Sequence, residues 1–298
     1  MMDKTKVKLG IAPIAWSNDD MPDLGGENTF EQCISEMALA GFTGTEVRNK
    51  YPKDAEELKP YLEARGLRVA NQWFSSFFTS RPKEDTVKLF REQLQFLKAM
   101  GATIIGASEQ GNSIQGKDVP ILGPDKPVFT DDEWKRVTEG MNELGRIAQE
   151  EGITLTYHHH MGTGVQTMEE TEKFLEMTDS DLVFLLYDSG HFAFAGEDPV
   201  KALDKFYDRV RHVHLKDIRP PIVQKVKKEK MSFLDAVRAG AFTVPGDGSI
   251  DFPAIFNILE DRGYEGWMIV EAEQDPAKAN PFNYAVQARK YIREQTGL

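Results

Sequence analysis

Val183-Phe184-Leu185-Leu186-Tyr187 is an unbroken apolar run that ends on a carboxylate, Asp188, and reaches an imidazole, His191, three residues later. A strand that is apolar at successive positions must bury both faces, as strands of parallel sheets do. Seven other short segments read as strands: Val7–Ala12, Gly44–Val47, Leu67–Gln72, Thr103–Ala107, Thr154–His158, Val210–Leu215 and Trp267–Glu271. Several follow directly on a helix stop: Ala40-Gly41, Arg65-Gly66, Met100-Gly101, Glu151-Gly152 and Arg262-Gly263. Glycine just past a helix adopts a positive φ at low cost and ends it.

Amphipathic helices lie between the strands. Residues 86–100 space Val87, Phe90, Leu94 and Leu97 helically, and residues 131–150 do the same with Trp134, Val137, Met141, Leu144 and Ile147. Thr130 or Asp131 suits the cap of the second. Residues 252–262 and 284–294 repeat the theme. Eight strands alternating with helices predict an α/β fold, a closed (β/α)8 TIM barrel. An open doubly wound sheet is the alternative, but no G-x-G-x-x-G follows the first strand. We expect one barrel domain over residues 1–298. It carries long βα loops near 108–130 and 216–250, and such loops are usually functional.

The 298 residues are 40% hydrophobic and 28% charged, with a net charge of −12. An acidic chain lacks the cationic excess that phosphate binding needs, so no nucleic-acid partner is expected. The short basic run Lys225 to Lys230 reads as a solvated segment. No segment is long and apolar enough for a membrane span, and the start of the chain lacks a secretory apolar region. A cytoplasmic protein with no membrane partner is expected. Cys33 is the sole cysteine. It lies in an apolar helical pattern with Phe30, Ile34 and Met37 and reads as a core residue.

All six histidines fall between positions 158 and 214, as His158-His159-His160, His191 and His212-x-His214. Each group sits at or just past a predicted strand end, where barrel side chains converge on one mouth. Carboxylates join them there: Glu46, Asp188, Asp217, Glu271 and Glu273. Imidazole plus carboxylate suits zinc, manganese, cobalt or iron(II) rather than calcium. Strand alternation puts His158 and His160 on one face with His159 opposed, and pairs His212 with His214 and Glu271 with Glu273. Blander readings stand beside these: an exposed histidine triplet, or a Glu46 ion pair with Arg48 or Lys50.

Asp188-Ser-Gly-His191 with Gly196, then His212-Val-His214-Leu-Lys216-Asp217, then Val270-Glu271, resembles the xylose isomerase-like superfamily over essentially the whole chain. The fuller set, including GIAPIAWSNDD, YHHHMGTGVQT and WMIVEAEQDPAKANP, is closer to its dehydratase branch in myo-inositol catabolism. The resemblance implies metal ligands at Asp188, His214 and Glu271, with His191 contacting substrate. The family's fifth-strand ligand is normally glutamate. Here the aligned position is His158, so either His158 or His160 takes that place, or the metal keeps three protein ligands. Mn2+ or Co2+ is the first expectation, with Zn2+ or Fe2+ as alternatives. A reduced-glutathione requirement is also implied.

The implied substrate is a cyclic polyol ketone, scyllo-inosose, dehydrated to a trihydroxycyclohexane-1,2-dione. The alternative is a sugar or inosose isomerase or epimerase with the same metal; a non-catalytic sugar-binding barrel is a third reading. An endonuclease IV-like role fits poorly, because no histidine precedes position 158. His191 and His160 are the favoured proton-transfer groups, with Glu46, Glu273 and Lys216 behind them; which is base and which is acid stays open. Trp16 and Trp73 are candidate walls for the substrate ring, Asn71 and Gln72 candidate hydroxyl partners, and Arg219 a candidate closing residue. Barrels of the superfamily often associate as homo-oligomers, and the sequence leaves the oligomeric state open.

Overall fold

The computed structural model describes residues 1–298. Eight parallel strands close a barrel: Val7–Ile11, Gly44–Val47, Arg68–Ser76, Ile104–Glu109, Thr154–His158, Val183–Asp188, Val210–Leu215 and Gly266–Val270. We call them the first to eighth strands. Each pairs with its sequence neighbours, and the first pairs with the eighth. The predicted strands all form, with ends displaced by a few residues. Amphipathic helices pack outside, and most of the apolar core lies between them and the barrel. Thr130 caps the Asp131–Glu150 helix in a reciprocal arrangement with Glu133. Cys33 is buried in that outer layer. No helix is long and apolar enough to cross a membrane.

Inside the barrel the side chains form tiers. At the base, Trp267 and Ile269 fill the space left by Gly10 and Gly44. A Cβ on Gly44 would lie 2.3 Å from the Trp267 ring, and one on Gly10 2.6 Å from Ile269. Polar residues occupy the tiers above. Alternation carries the inward-facing series 267, 269 upward to Glu271, so an apolar floor and a charged mouth share one strand.

A second, smaller core lies on the βα loops. Met21, Leu24, Ile114, Ile121, Met161, Phe194, Phe233 and Phe242 belong to it. The two expected long loops meet here. Within 108–130, Ile121 N–H donates to the Met231 carbonyl, and Ile114 N–H to that of Gly162. Within 216–250, Asp217–Ile218 pairs with Phe242–Thr243, and short helices span Pro220–Glu229 and Phe233–Arg238. The basic run 225–230 lies at the end of the first of these helices. Asp217 fastens the returning loop by accepting from the backbone N–H groups of Ile218, Gly246, Gly248, Ser249 and Ile250. It is thereby committed to the loop and not to the mouth.

Gly44→Ala should destabilise the chain by about 1–3 kcal/mol, because the added methyl meets an indole ring confined within the barrel. Denaturant titration reads this directly; an unchanged midpoint would contradict the described packing.

Candidate active site

Four strand ends bring together four side chains. His158 closes the fifth strand, Asp188 the sixth, His214 lies near the end of the seventh and Glu271 directly follows the eighth. All four are buried. His158 Nε2 lies 3.5 Å from Asp188 Oδ2, and His214 Nδ1 lies 3.4 Å from both Asp188 Oδ2 and Glu271 Oε2. His158 Nδ1 and Nε2, Asp188 Oδ2 and His214 Nδ1 have no hydrogen-bond partner. Buried polar atoms are rarely left so. Ligand atoms held about 2.1 Å from one cation in a tetrahedral shell sit roughly 3.4 Å apart. The donor set, the spacing and the unpartnered atoms fit a divalent metal.

The neighbours aim these atoms. Asp188 Oδ1 accepts from His191 N–H at 2.9 Å, capping the Ser189–Phe194 helix and leaving Oδ2 free. Glu46 Oε1 accepts from His214 Nε2 at 2.9 Å, from His212 Nε2 at 3.1 Å and from Asn71 Nδ2 at 2.9 Å. A carboxylate only accepts, so the His214 hydrogen is held on Nε2 and Nδ1 faces the cluster, the usual device for orienting a metal-binding imidazole. Burial opposes charge on His214, yet Glu271 and Glu46 hold its pKa well above the usual imidazole range. The cluster therefore attracts positive charge strongly. His158 goes the other way: burial lowers it, with Asp188 opposing.

A second tier adjoins the first. Lys216 is fully buried. Its Nζ lies 2.7 Å from Glu271 Oε1, 2.9 Å from Glu273 Oε1, 3.5 Å from Asp188 Oδ2 and 3.0 Å from His191 Nε2. The Asp-Ser-Gly-His segment is built around this lysine. Ser189 Oγ donates to the Lys216 carbonyl at 2.7 Å and accepts its N–H at 3.1 Å. A Cβ on Gly190 would lie 2.4 Å from Lys216 Cγ, so only glycine lets the stem pass. His160 packs on His191 with ring centroids 3.8 Å apart, and its Nδ1 lies 2.8 Å from the Met161 carbonyl. A carbonyl only accepts, so Nδ1 carries the hydrogen and the Nε2 lone pair is left for a proton. Burial, then His158 and Lys216, hold His160 well below the usual imidazole range, in its neutral form. His159 faces outward, stacked on Phe192 at 3.7 Å, as alternation requires.

Above both tiers opens a cavity of about 540 Å³ lined by eighteen residues, only three of them hydrophobic. His158, His160, Glu271 and Glu273 line it together with Arg48, Gln72 and Trp73, and with the loop residues Asp19, Asp20 and Gln115. A wall this polar suits a hydroxyl-rich ligand.

Several sequence expectations need correction. Trp16 does not reach the cavity: it is fully buried in the outer core, and its Nε1 donates to Glu36 Oε2 at 2.5 Å. Arg219 is tied to the Gly240 and Phe242 carbonyls, Thr243 and Asp247, so it braces its own loop. Asn71 lies below the mouth, with its amide spent on Glu46 and on Gly106 N–H. Glu46 lies beneath the ligand cluster, outside the cavity lining, and acts through His214. His191 and Lys216 are also outside that lining, behind His160 and Glu273. Gln72 and Trp73 do line the cavity. The sequence reading missed Arg48 as a cavity residue, although Arg48 shares strand parity with the inward Glu46. It also missed Asp19 and Asp20, which sit on a first βα loop with no chemical signature.

The Xylose isomerase-like TIM barrel family matches residues 34–295. The chain is 59% identical over 298 residues to the inosose dehydratase of Clostridium tetani (strain Massachusetts / E88) and 59% identical over 298 residues to that of Geobacillus thermodenitrificans (strain NG80-2), covering all of both chains in each case. Among solved structures, an IolI protein with a bound zinc atom superposes with a TM-score of 0.71 at 18% identity, over 97% of this chain and 98% of that one. At that identity the likeness is one of fold. The chain belongs to the xylose isomerase-like TIM-barrel family and, within it, to the inosose dehydratases.

Proposed function

We propose that this chain is a metal-dependent hydro-lyase that converts scyllo-inosose, a pentahydroxycyclohexanone, to a trihydroxycyclohexane-1,2-dione and water. The observation that carries the reading is full-length identity near 59% to inosose dehydratases. The polar cavity over the His158–Asp188–His214–Glu271 cluster supports it. These four residues would hold the cation, Mn2+ or Co2+ by preference, with Zn2+ or Fe2+ as alternatives; zinc is the metal named for the IolI neighbour. Bound there, a divalent cation supplies a Lewis acid for a carbonyl oxygen. His158 in place of a carboxylate makes the ligand set less negative, which strengthens that acid.

The remaining chemistry belongs to protons. His160 is the base: its Nε2 faces the cavity and takes the proton from the carbon beside the carbonyl. Glu273, also on the cavity, passes a proton to the hydroxyl leaving the next carbon, so that water departs. The resulting enol tautomerises to the dione. Burial raises the Glu273 pKa above the usual carboxylate range, with Lys216 opposing and Glu271 reinforcing, which favours a proton there. Lys216 and His191 are positioning residues that hold Glu273 and His160. Trp73 walls the site, its ring 5.3 Å from His158 and 5.6 Å from His160. An epimerase would share the first proton removal and omit the loss of water. The setting we propose is cytoplasmic, with association of identical chains as in the superfamily. Any glutathione requirement acts other than through Cys33, because burial pushes that thiol far above its ordinary range.

Incubation of metal-loaded protein with scyllo-inosose should produce the absorbance of an enolised dione, and chelation should abolish it; epimerisation without that signal would reject the dehydratase reading. His160→Asn should lower kcat by roughly 10²–10⁴-fold with metal content unchanged. Glu46→Gln should instead weaken metal affinity by roughly 10–100-fold. Metal analysis beside kinetics separates the two, and the opposite pattern would reverse the assigned roles. Cys33 should resist thiol reagents in the folded chain and label fully in denaturant; rapid native labelling would refute its burial.

A further inference from the structure

Arg48 differs from the other half-buried arginines. Arg65, Arg209, Arg219, Arg238 and Arg289 each spend their guanidinium on protein acceptors. Arg48 lines the cavity, yet its side chain makes no hydrogen bond and no ion pair within the chain. Beside it, Gln72 lines the same cavity, and its Oε1 is buried without a partner. Register places them together: Val47 of the second strand pairs with Gln72 of the third, and Arg48 follows Val47. The cluster and the proton-transfer groups come from the fifth to eighth strands. Arg48 has Glu271, Asp19, Glu46 and Glu273 as charge neighbours, none of them within ion-pair distance, so its unused donors and the unused acceptor of Gln72 open onto the same cavity as the cluster.

We propose that Arg48 and Gln72 form a diol-reading subsite that binds ring hydroxyls of the substrate other than those at the reacting carbons. This rests on the function proposed above and names its specificity-determining residues. A guanidinium presents its donors as a rigid fork, which spans two vicinal oxygens, whereas an ammonium is a single point. A hydroxyl also donates, and Gln72 Oε1 is the acceptor at hand. Leaving such groups unpaired is costly, so a ring lacking these hydroxyls is rejected. Held there, the ring cannot turn, and one particular carbon is presented to His160.

The test uses two polyols that carry no ketone and cannot be dehydrated, scyllo-inositol and trans-cyclohexane-1,2-diol. Calorimetric titration of the metal-loaded protein should show scyllo-inositol bound on the order of 10- to 100-fold more tightly, because only it carries enough hydroxyls to meet the cluster and the Arg48–Gln72 pair at once. In Arg48→Met that preference should fall to within about threefold, with metal content unchanged. Arg48→Lys keeps the charge without the fork and should not restore it. Gln72→Leu should reduce the preference on its own, and it serves as the second variant if Arg48→Met does not fold. An undiminished preference in the folded variants, or full restoration by lysine, would overturn the subsite. Turnover of scyllo-inosose by the unaltered protein reports separately on the proposed function, so the two can fail independently.

Discussion

Everything at the mouth of this barrel depends on compensating buried negative charge. Glu46, Asp188 and Glu271 are all nearly inaccessible to solvent. Ionised carboxylates withstand such burial only when hydrogen-bonded or paired with positive charge. Glu46 is satisfied from below by two imidazoles and an amide. Asp188 and Glu271 share the one ammonium of Lys216, which also holds Glu273 and whose position is set by Ser189 and by the absent side chain of Gly190. That leaves an excess of negative charge beside unpartnered nitrogen and oxygen atoms, which is the electrostatic condition of a cation site.

The barrel makes this arrangement affordable. Apolar packing below, around Trp267 and Ile269, and the second core above, around Phe233 and Phe242, enclose the charged tiers. Enclosure strengthens every charge interaction and removes competing water. The division of labour around the rim follows from closure: strands five to eight carry imidazoles and acids, and strands two and three carry an amide, an indole and a guanidinium. A ring-shaped polyol in the cavity has both reactive groups and hydrogen-bonding groups around it.

Much of this was legible in the chain. The run ending at Asp188 and the clustering of histidines at strand ends led to the barrel and to the group that meets at its mouth. Alternation separated His159 from His158 and His160. Reading failed where a side chain's partner is remote in sequence. Glu46 looked like a catalytic acid or an Arg48 ion pair; it is bound by His212 and His214, more than 160 positions away. Trp16 and Arg219 looked like cavity residues because they follow strands, but Glu36 and the 240–247 loop claim them first. Arg48 was missed for the converse reason, because nothing local shows that a guanidinium lacks an acceptor.

The sequence by itself determined the order of strands and helices, the side each strand residue faces and the chemical types available at each strand end. These are local consequences of periodicity and of glycine stops, so they survive without knowledge of distant contacts. Only the tertiary structure decided which nitrogen of His214 faces the cluster, that Lys216 is shared among three carboxyl groups, and which polar groups remain unspent. Each of those depends on distances between residues brought together by closure of the barrel, and a linear pattern carries no record of such distances.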